Sequence, residues 1–174
     1  DEGIRPDTSI EALAALHPAF RENGSVTAGN SSQISDGAAG MILASGKVAS
    51  DWGVEPLARY VASAAAGVHP DVMGIGPVPA TYKVMSVTGW SMDSVDRIEL
   101  NEAFAPQVLA VLKGWGWSED DSRWDMLNVN GSGISLGHPI GATGGRILAN
   151  LTRELQRRGG RYGLETMCIG GGQG

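Results

Sequence analysis

Residues 143–169 restrict the possible folds more than any other stretch of this chain. Apolar side chains recur at Ile147, Leu148, Leu151 and Leu155, the spacing of one face of an α-helix, with Arg153, Glu154, Arg157 and Arg158 expected to face water. Thr143 is the expected N-cap, and Gly159-Gly160 stops the helix. Tyr162–Ile169 then reads as an apolar strand with Cys168 at its C-terminal end. A helix feeding directly into a strand must bury its apolar stripe against a sheet, so the expected fold is α/β and layered, with a mixed sheet between helices.

The rest of the chain repeats the alternation less clearly. Ser9 or Thr8 can cap a short helix with apolar positions Ile10, Leu13 and Leu16, ended by Pro18. Residues 37–45 and 57–66 are small and apolar and read as strands. The Gly- and Pro-rich stretch 74–79 leads into a helix around residues 80–88, and residues 97–101 form a short strand. A helix then starts near Glu102 with Phe104, Val108, Leu109, Val111 and Leu112 on one face; Pro106 is tolerated in its first turn. Residues 128–130 read as a strand tip before the Gly131-Ser132-Gly133 loop. Sites in such folds collect beyond strand ends, where Asn101, Asn130 and Cys168 fall.

Composition narrows the function classes. With 174 residues, 42% of them hydrophobic, the chain can bury one sizeable core. A net charge of −6 and a pI of about 5.0 argue against a nucleic-acid or anionic-membrane surface. A single cysteine allows no internal disulfide, and no apolar run spans a bilayer, so a soluble cytoplasmic protein is expected. No His/Cys cluster has zinc spacing, and neither a dinucleotide nor a P-loop pattern is present, so no metal or nucleotide cofactor is expected. Both termini read as cut: the chain opens on Asp1 without Met and stops on Gly174 inside a glycine-rich turn.

The chemistry-bearing residues converge on thioesters. Cys168 is followed by Ile169-Gly170-Gly171-Gly172, and His138, one of three histidines, lies thirty positions earlier between Gly137 and Pro139. A thiol, an imidazole and glycines that expose backbone N–H groups are the parts needed to handle an acyl-thioester. Each has a plainer reading: Cys168 as a small buried hydrophobe, His138 as a structural hydrogen-bonder, Asn101 as a helix N-cap. His17 and His69 sit in polar, proline-flanked loops and are expected at the surface. Gly133-Ile134-Ser135-Leu136-Gly137 matches the serine-hydrolase elbow, but Pro139 interrupts and no triad histidine follows at distance, so the match is taken as accidental.

The chain resembles the thiolase family. The likeness is carried by Asn101-Glu102-Ala103-Phe104-Ala105, Asn128-Val129-Asn130-Gly131-Ser132-Gly133, Gly137-His138-Pro139-Ile140-Gly141-Ala142-Thr143-Gly144 and Cys168-Ile169-Gly170-Gly171-Gly172. Residues 26–32, 35–39 and 73–80 fit the same pattern, so the likeness runs collinearly over the whole chain. The resemblance implies transfer of acyl groups between coenzyme A thioesters, either cleavage of 3-ketoacyl-CoA or condensation of acetyl-CoA. It implies His138 as activator of a nucleophilic cysteine, Cys168 as acid/base, Asn101 in one oxyanion hole through a water, and the Gly170 N–H in another. Coenzyme A would run past Ser32, with Ala103, Phe104 and Phe20 along the pantetheine path and Arg5 toward the nucleotide.

The nucleophilic cysteine of the family lies in its first half, and here Cys168 is the only cysteine. The implied division is 1–35 as the tail of the CoA-binding loop domain, 36–53 as the last strand and helix of the N-terminal half, and 54–174 as the C-terminal domain. The implied partners are the N-terminal half that carries the nucleophile, coenzyme A or its acyl thioester, and further copies in a homodimer or homotetramer. Two alternatives stand beside this: a non-catalytic thiolase-like protein binding acyl-CoA or lipid, and a ketoacyl synthase, against which Cys168 in its glycine turn argues.

Overall fold

Residues 3–174 are described by the structure, a computed structural model; Asp1 and Glu2, where the expected loop-domain tail begins, lie outside the described residues. Helix α1 (Ile10–Ala14) is capped by Ser9, whose hydroxyl accepts the Ala12 N–H at 3.1 Å. Helix α2 (Gly46–Asp51) is capped in the same way by Ser45. Helix α3 (Pro77–Thr88) begins earlier than expected, because Pro77 and Pro79 sit in a first turn that needs no intrahelical N–H, and it ends on left-handed Gly89. Strand β1 (Arg97–Leu100) leads to helix α4 (Ala105–Gly114). The short helix α5 (Gly133–Leu136) precedes α6 (Thr143–Arg158), and strand β2 (Gly163–Thr166) follows.

The two strands pair in parallel, Arg97 opposite Gly163 through Leu100 opposite Thr166. Their alternation gives the sheet two different faces. Ile98, Leu100 and Leu164 enter a core with Met85, Val95, Val108, Val111, Leu112, Trp115 and Trp117 from α3, α4 and the loops beyond. Glu99 and Glu165 lie side by side on the other face, under α6: a Cβ on Gly163 would meet Leu151 at 2.9 Å, and Glu165 Oε1 lies 3.7 Å from the equivalent point on Gly144. Sheet between helices is thus the observed layering, and it places the ends of both strands beside the start of α6.

Several local expectations are corrected. Residues 37–45 form no strand, and Ile42 is 90% exposed; a small apolar run becomes a strand only when a neighbour takes its backbone bonds, and none does so among the described residues. Residues 57–66 also pair with no strand among the described residues until their end, where Ala66 and Gly174 exchange backbone bonds; just beyond, the Val68 N–H donates to the Gly172 carbonyl. Residues 128–130 form a turn, with Asn128 left-handed at φ 46°, although Leu127 touches the sheet edge at Ile98. Leu109 is exposed, because the buried face of α4 is Gln107, Val108, Val111 and Leu112, and position 109 points roughly 130° from its centre. Thr143 is not the N-cap but the first residue of α6, and Ala142 precedes it.

Glu154, expected in water, is 2% exposed. It continues the stripe of Ile147 and Leu151, and its carboxylate is satisfied by Arg157, Arg158 and the Asn130 amide. Those hydrogen bonds and the two guanidinium groups hold its carboxyl down at about 2.

Candidate active site

The end of β1 is clamped from both sides. The Asn128 side chain accepts the Leu100 N–H and donates to the Leu100 carbonyl, each at 2.8 Å, and also donates to Glu102 Oε1 at 2.7 Å. Ser132, fully buried, accepts the Glu102 N–H and donates to the Leu100 carbonyl, both at 3.3 Å. Asn101 follows at once, its own N–H on the Thr166 carbonyl at 3.0 Å. Asn128 and Ser132 were not singled out from the sequence; the signal was their place in the same motif as Asn130.

Asn101 is not the cap of α4, which Phe104 precedes with no side-chain bond. Its side chain is fully buried, and Nδ2 lies 3.3 Å from His138 Nε2, while Oδ1 has no hydrogen-bond partner among the described residues. On the other edge of the imidazole, Nδ1 lies 2.7 Å from Thr143 Oγ1. The backbone that presents His138 depends on Gly137, at φ 93°, where a Cβ would meet Ser35 Oγ at 2.6 Å. Burial and the neighbouring Arg146 charge lower the pKa of His138, and its place at the N-terminal end of the 16-residue α6 acts in the same direction. The imidazole is therefore neutral at pH 7.

Cys168 lies two residues beyond β2, next in the sheet to the strand that carries Asn101, and is 9% exposed. Burial pushes its thiol pKa up, so it rests as the thiol. Beyond it the chain turns back: Ile169 N–H donates to the Gln173 carbonyl at 2.8 Å, and Gly170 stands exposed in between with its N–H donating to no group among the described residues. Gly172 fixes the turn, since at φ 99° a Cβ would meet the Val68 carbonyl at 2.2 Å.

The residues expected along a coenzyme path divide. Ser32 N–H donates to the Ala103 carbonyl at 2.8 Å, Ser31 bridges Phe104, and Phe20 stacks edge-on against Phe104 at 5.7 Å, so Ser32, Ala103, Phe104 and Phe20 share one place beside Asn101. Arg5 is exposed, and its side chain makes no polar contact with that group. Asn130 is held by Glu154 and Arg157 eleven residues along α6 from Thr143, roughly 16 Å from the imidazole end of that helix. His17 and His69 are exposed. Ser135 belongs to no triad; its hydroxyl accepts the Ser132 N–H at 3.2 Å and donates to the Ser132 carbonyl at 3.3 Å, capping α5.

Among the described residues, no group of three or more His, Cys, Asp or Glu side chains is placed to hold a metal ion. Among the described residues, no helix is long and apolar enough to cross a membrane. Two open hollows, one lined by Asn130, Asn150, Arg153, Glu154 and Arg157 and one around residues 46–56, contain none of Asn101, His138 or Cys168.

Comparison with known proteins adds to this geometry. The family profile described as "Thiolase, C-terminal domain" matches residues 54–174, and that described as "Thiolase, N-terminal domain" matches residues 1–47. The chain is 51% identical over its whole length to an acetyl-CoA acetyltransferase of Chromobacterium violaceum, of which it covers 43%. It superposes on the crystal structure of the Bacillus anthracis acetyl-CoA acetyltransferase with a TM-score of 0.90 at 50% identity, covering 97% of this chain and 42% of that one. On human mitochondrial 3-ketoacyl-CoA thiolase in complex with CoA, the TM-score is 0.83 at 43% identity, again over 97% and 42%. The chain thus spans less than half the length of the curated relatives it matches.

Proposed function

This chain belongs to the thiolase family, and from that premise we propose that it is the C-terminal part of an enzyme that transfers acyl groups between coenzyme A thioesters. The carrying observation is the imidazole of His138, held between Asn101 at 3.3 Å and Thr143 at 2.7 Å beside the strand that leads to Cys168. The acyl-accepting cysteine is supplied by protein outside this sequence. His138 takes the proton of that thiol, the thiolate attacks the thioester carbonyl, and the released coenzyme A thiolate takes the proton back.

Cys168 serves the second half-reaction. In thiolysis of a 3-ketoacyl-CoA, its thiol protonates the acetyl-CoA carbanion released as the carbon–carbon bond breaks. In condensation, the Cys168 thiolate removes the α-proton of acetyl-CoA. A thiol whose pKa is raised by burial is suited to the acid role. Asn101 carries one oxyanion site through a bound water, and the exposed N–H of Gly170 contributes to another. Ser32, Ala103, Phe104 and Phe20 form the path for coenzyme A, consistent with the CoA-bound relative; Arg5 is assigned to its nucleotide end on resemblance alone.

The division at residues 35 and 53, a cytoplasmic location, a place in fatty-acid metabolism and a homodimeric or homotetrameric assembly belong to the same reading. The relatives compared carry enzyme names, which favours it over a non-catalytic acyl-CoA-binding protein.

The test is turnover of acetoacetyl-CoA by the assembly that contains this chain and the nucleophilic cysteine. Cys168→Ala and His138→Ala are each expected to lower kcat by about 10²-fold or more. Near-normal turnover in both variants would end the assignment. Intact mass after incubation with acetyl-CoA supplies a second check: the acetyl adduct is expected on a longer or second polypeptide, not on this chain.

A further inference from the structure

We infer that Thr143 is a positioning residue whose hydroxyl fixes the tautomer of His138, keeping the proton on Nδ1 and presenting Nε2 as the proton acceptor toward Asn101. The inference rests on the reading of His138 as the site's base, and it concerns a residue to which neither sequence motif nor resemblance gave more than a capping role.

A threonine hydroxyl carries one proton and two acceptor lone pairs. Thr143 Oγ1 lies 3.0 Å from the Pro139 carbonyl, the back-bond to the carbonyl four residues earlier that threonine makes in helices, and donates its proton there. The oxygen facing His138 Nδ1 at 2.7 Å is then left with lone pairs only, so Nδ1 must be the N–H that donates to it. The opposite edge of the ring demands the same arrangement. Asn101 Nδ2 is an N–H donor and lies 3.3 Å from Nε2, which must accept. Two partners from different elements, the end of β1 and the first turn of α6, thus select the same neutral form.

The arrangement also anticipates the charged form. When Nε2 takes a proton, Nδ1–H keeps its bond to Thr143, so one edge of the ring needs no rearrangement during transfer. The hydroxyl of Thr143 is fully buried, so water does not compete for the bond. The Pro139 carbonyl also accepts the N–H groups of Ala142 and Thr143 at 2.8 and 2.9 Å. The rival state is therefore well defined: a hydroxyl turned to donate into an unprotonated Nδ1, with Nε2 carrying the proton.

Imidazole ¹⁵N NMR at pH 7 of the assembly that contains this chain, with histidine labelled and His138 assigned, separates the two. The expected spectrum has a pyrrole-type Nδ1 and a pyridine-type Nε2. Thr143→Val, which keeps the shape and removes the hydroxyl, is expected to pull both resonances toward the tautomer average, and Thr143→Ser to restore the wild-type pattern. A wild-type Nε2–H spectrum overturns the inference, as does an unchanged spectrum in a folded Thr143→Val. If the valine variant does not fold by circular dichroism, the wild-type and serine spectra still decide. None of these readouts needs turnover, so a correct tautomer with no thiolase activity in the assembly would refute the proposed function and leave this inference standing.

Discussion

Residues 3–75 and residues 76–174 treat apolar side chains in opposite ways. Ala49 is the one buried residue in the first stretch, whereas the second holds the whole cluster from Met85 to Leu164. The first stretch does not lack material for a core: Ile34, Ile42, Leu43 and Trp52 are all exposed. The difference lies in what each stretch can pack against. In 76–174 a sheet is covered on one face by α3 and α4 and on the other by α6, so the apolar side chains on its two faces have a facing layer, while Leu109 and Ile140, turned away from it, stay exposed. Residues 34–45 have no strand beside them among the described residues, and hydrophobic composition alone does not bury a backbone whose polar groups need partners.

The contrast can be broken most directly in the core. Leu100→Ala, at a position with 0% exposure, is expected to lower stability by about 2–5 kcal/mol in urea unfolding. An effect near zero would mean that the compact half is not the folding unit. Gly172→Ala attacks the joint between the two stretches, because the new Cβ would strike the Val68 carbonyl. Strain there is expected to cost about 1–3 kcal/mol. In hydrogen exchange, the Ala66 and Val68 amides should lose protection while those of α6 keep it; equal loss in both would show that the joint is not local.

Glu99 and Glu165 sharpen the comparison through pH. Burial, partly offset for Glu99 by Arg146, pushes both up to about 7 from an ordinary 4.5. A carboxyl whose folded pKa is raised binds more protons folded than unfolded, so its stability contribution is full below about 4.5 and is lost as pH rises through about 7. Thermal melts should therefore decline over that window, by at most about 1.4 kcal/mol per pH unit for each group. Glu165→Gln should flatten the decline, and an unchanged slope would reject the assignment. The smallest effect is expected from Ile42→Ala, within about 0.5 kcal/mol of wild type because the side chain is 90% exposed.

What could be read from the sequence was whatever depends on near neighbours along the chain. The period of Ile147 and Leu151, the stop at Gly159, the Ser9 cap and the strand at residues 97–100 all follow from spacing and local sterics, and the motifs around Asn101, His138 and Cys168 carried the family. Even the burial of Glu154 was legible as spacing, seven residues beyond Ile147, but its charge argued the other way until Asn130, Arg157 and Arg158 supplied the partners. The tertiary structure decided the rest. It brought Asn101 to His138 across 37 positions, turned Thr143 from a cap into a partner of the imidazole, sent Asn130 to the far part of α6, and left residues 37–45 without the strand their composition suits. Periodicity states which face of an element is apolar; which atoms from distant segments meet that face is set only when the layers pack.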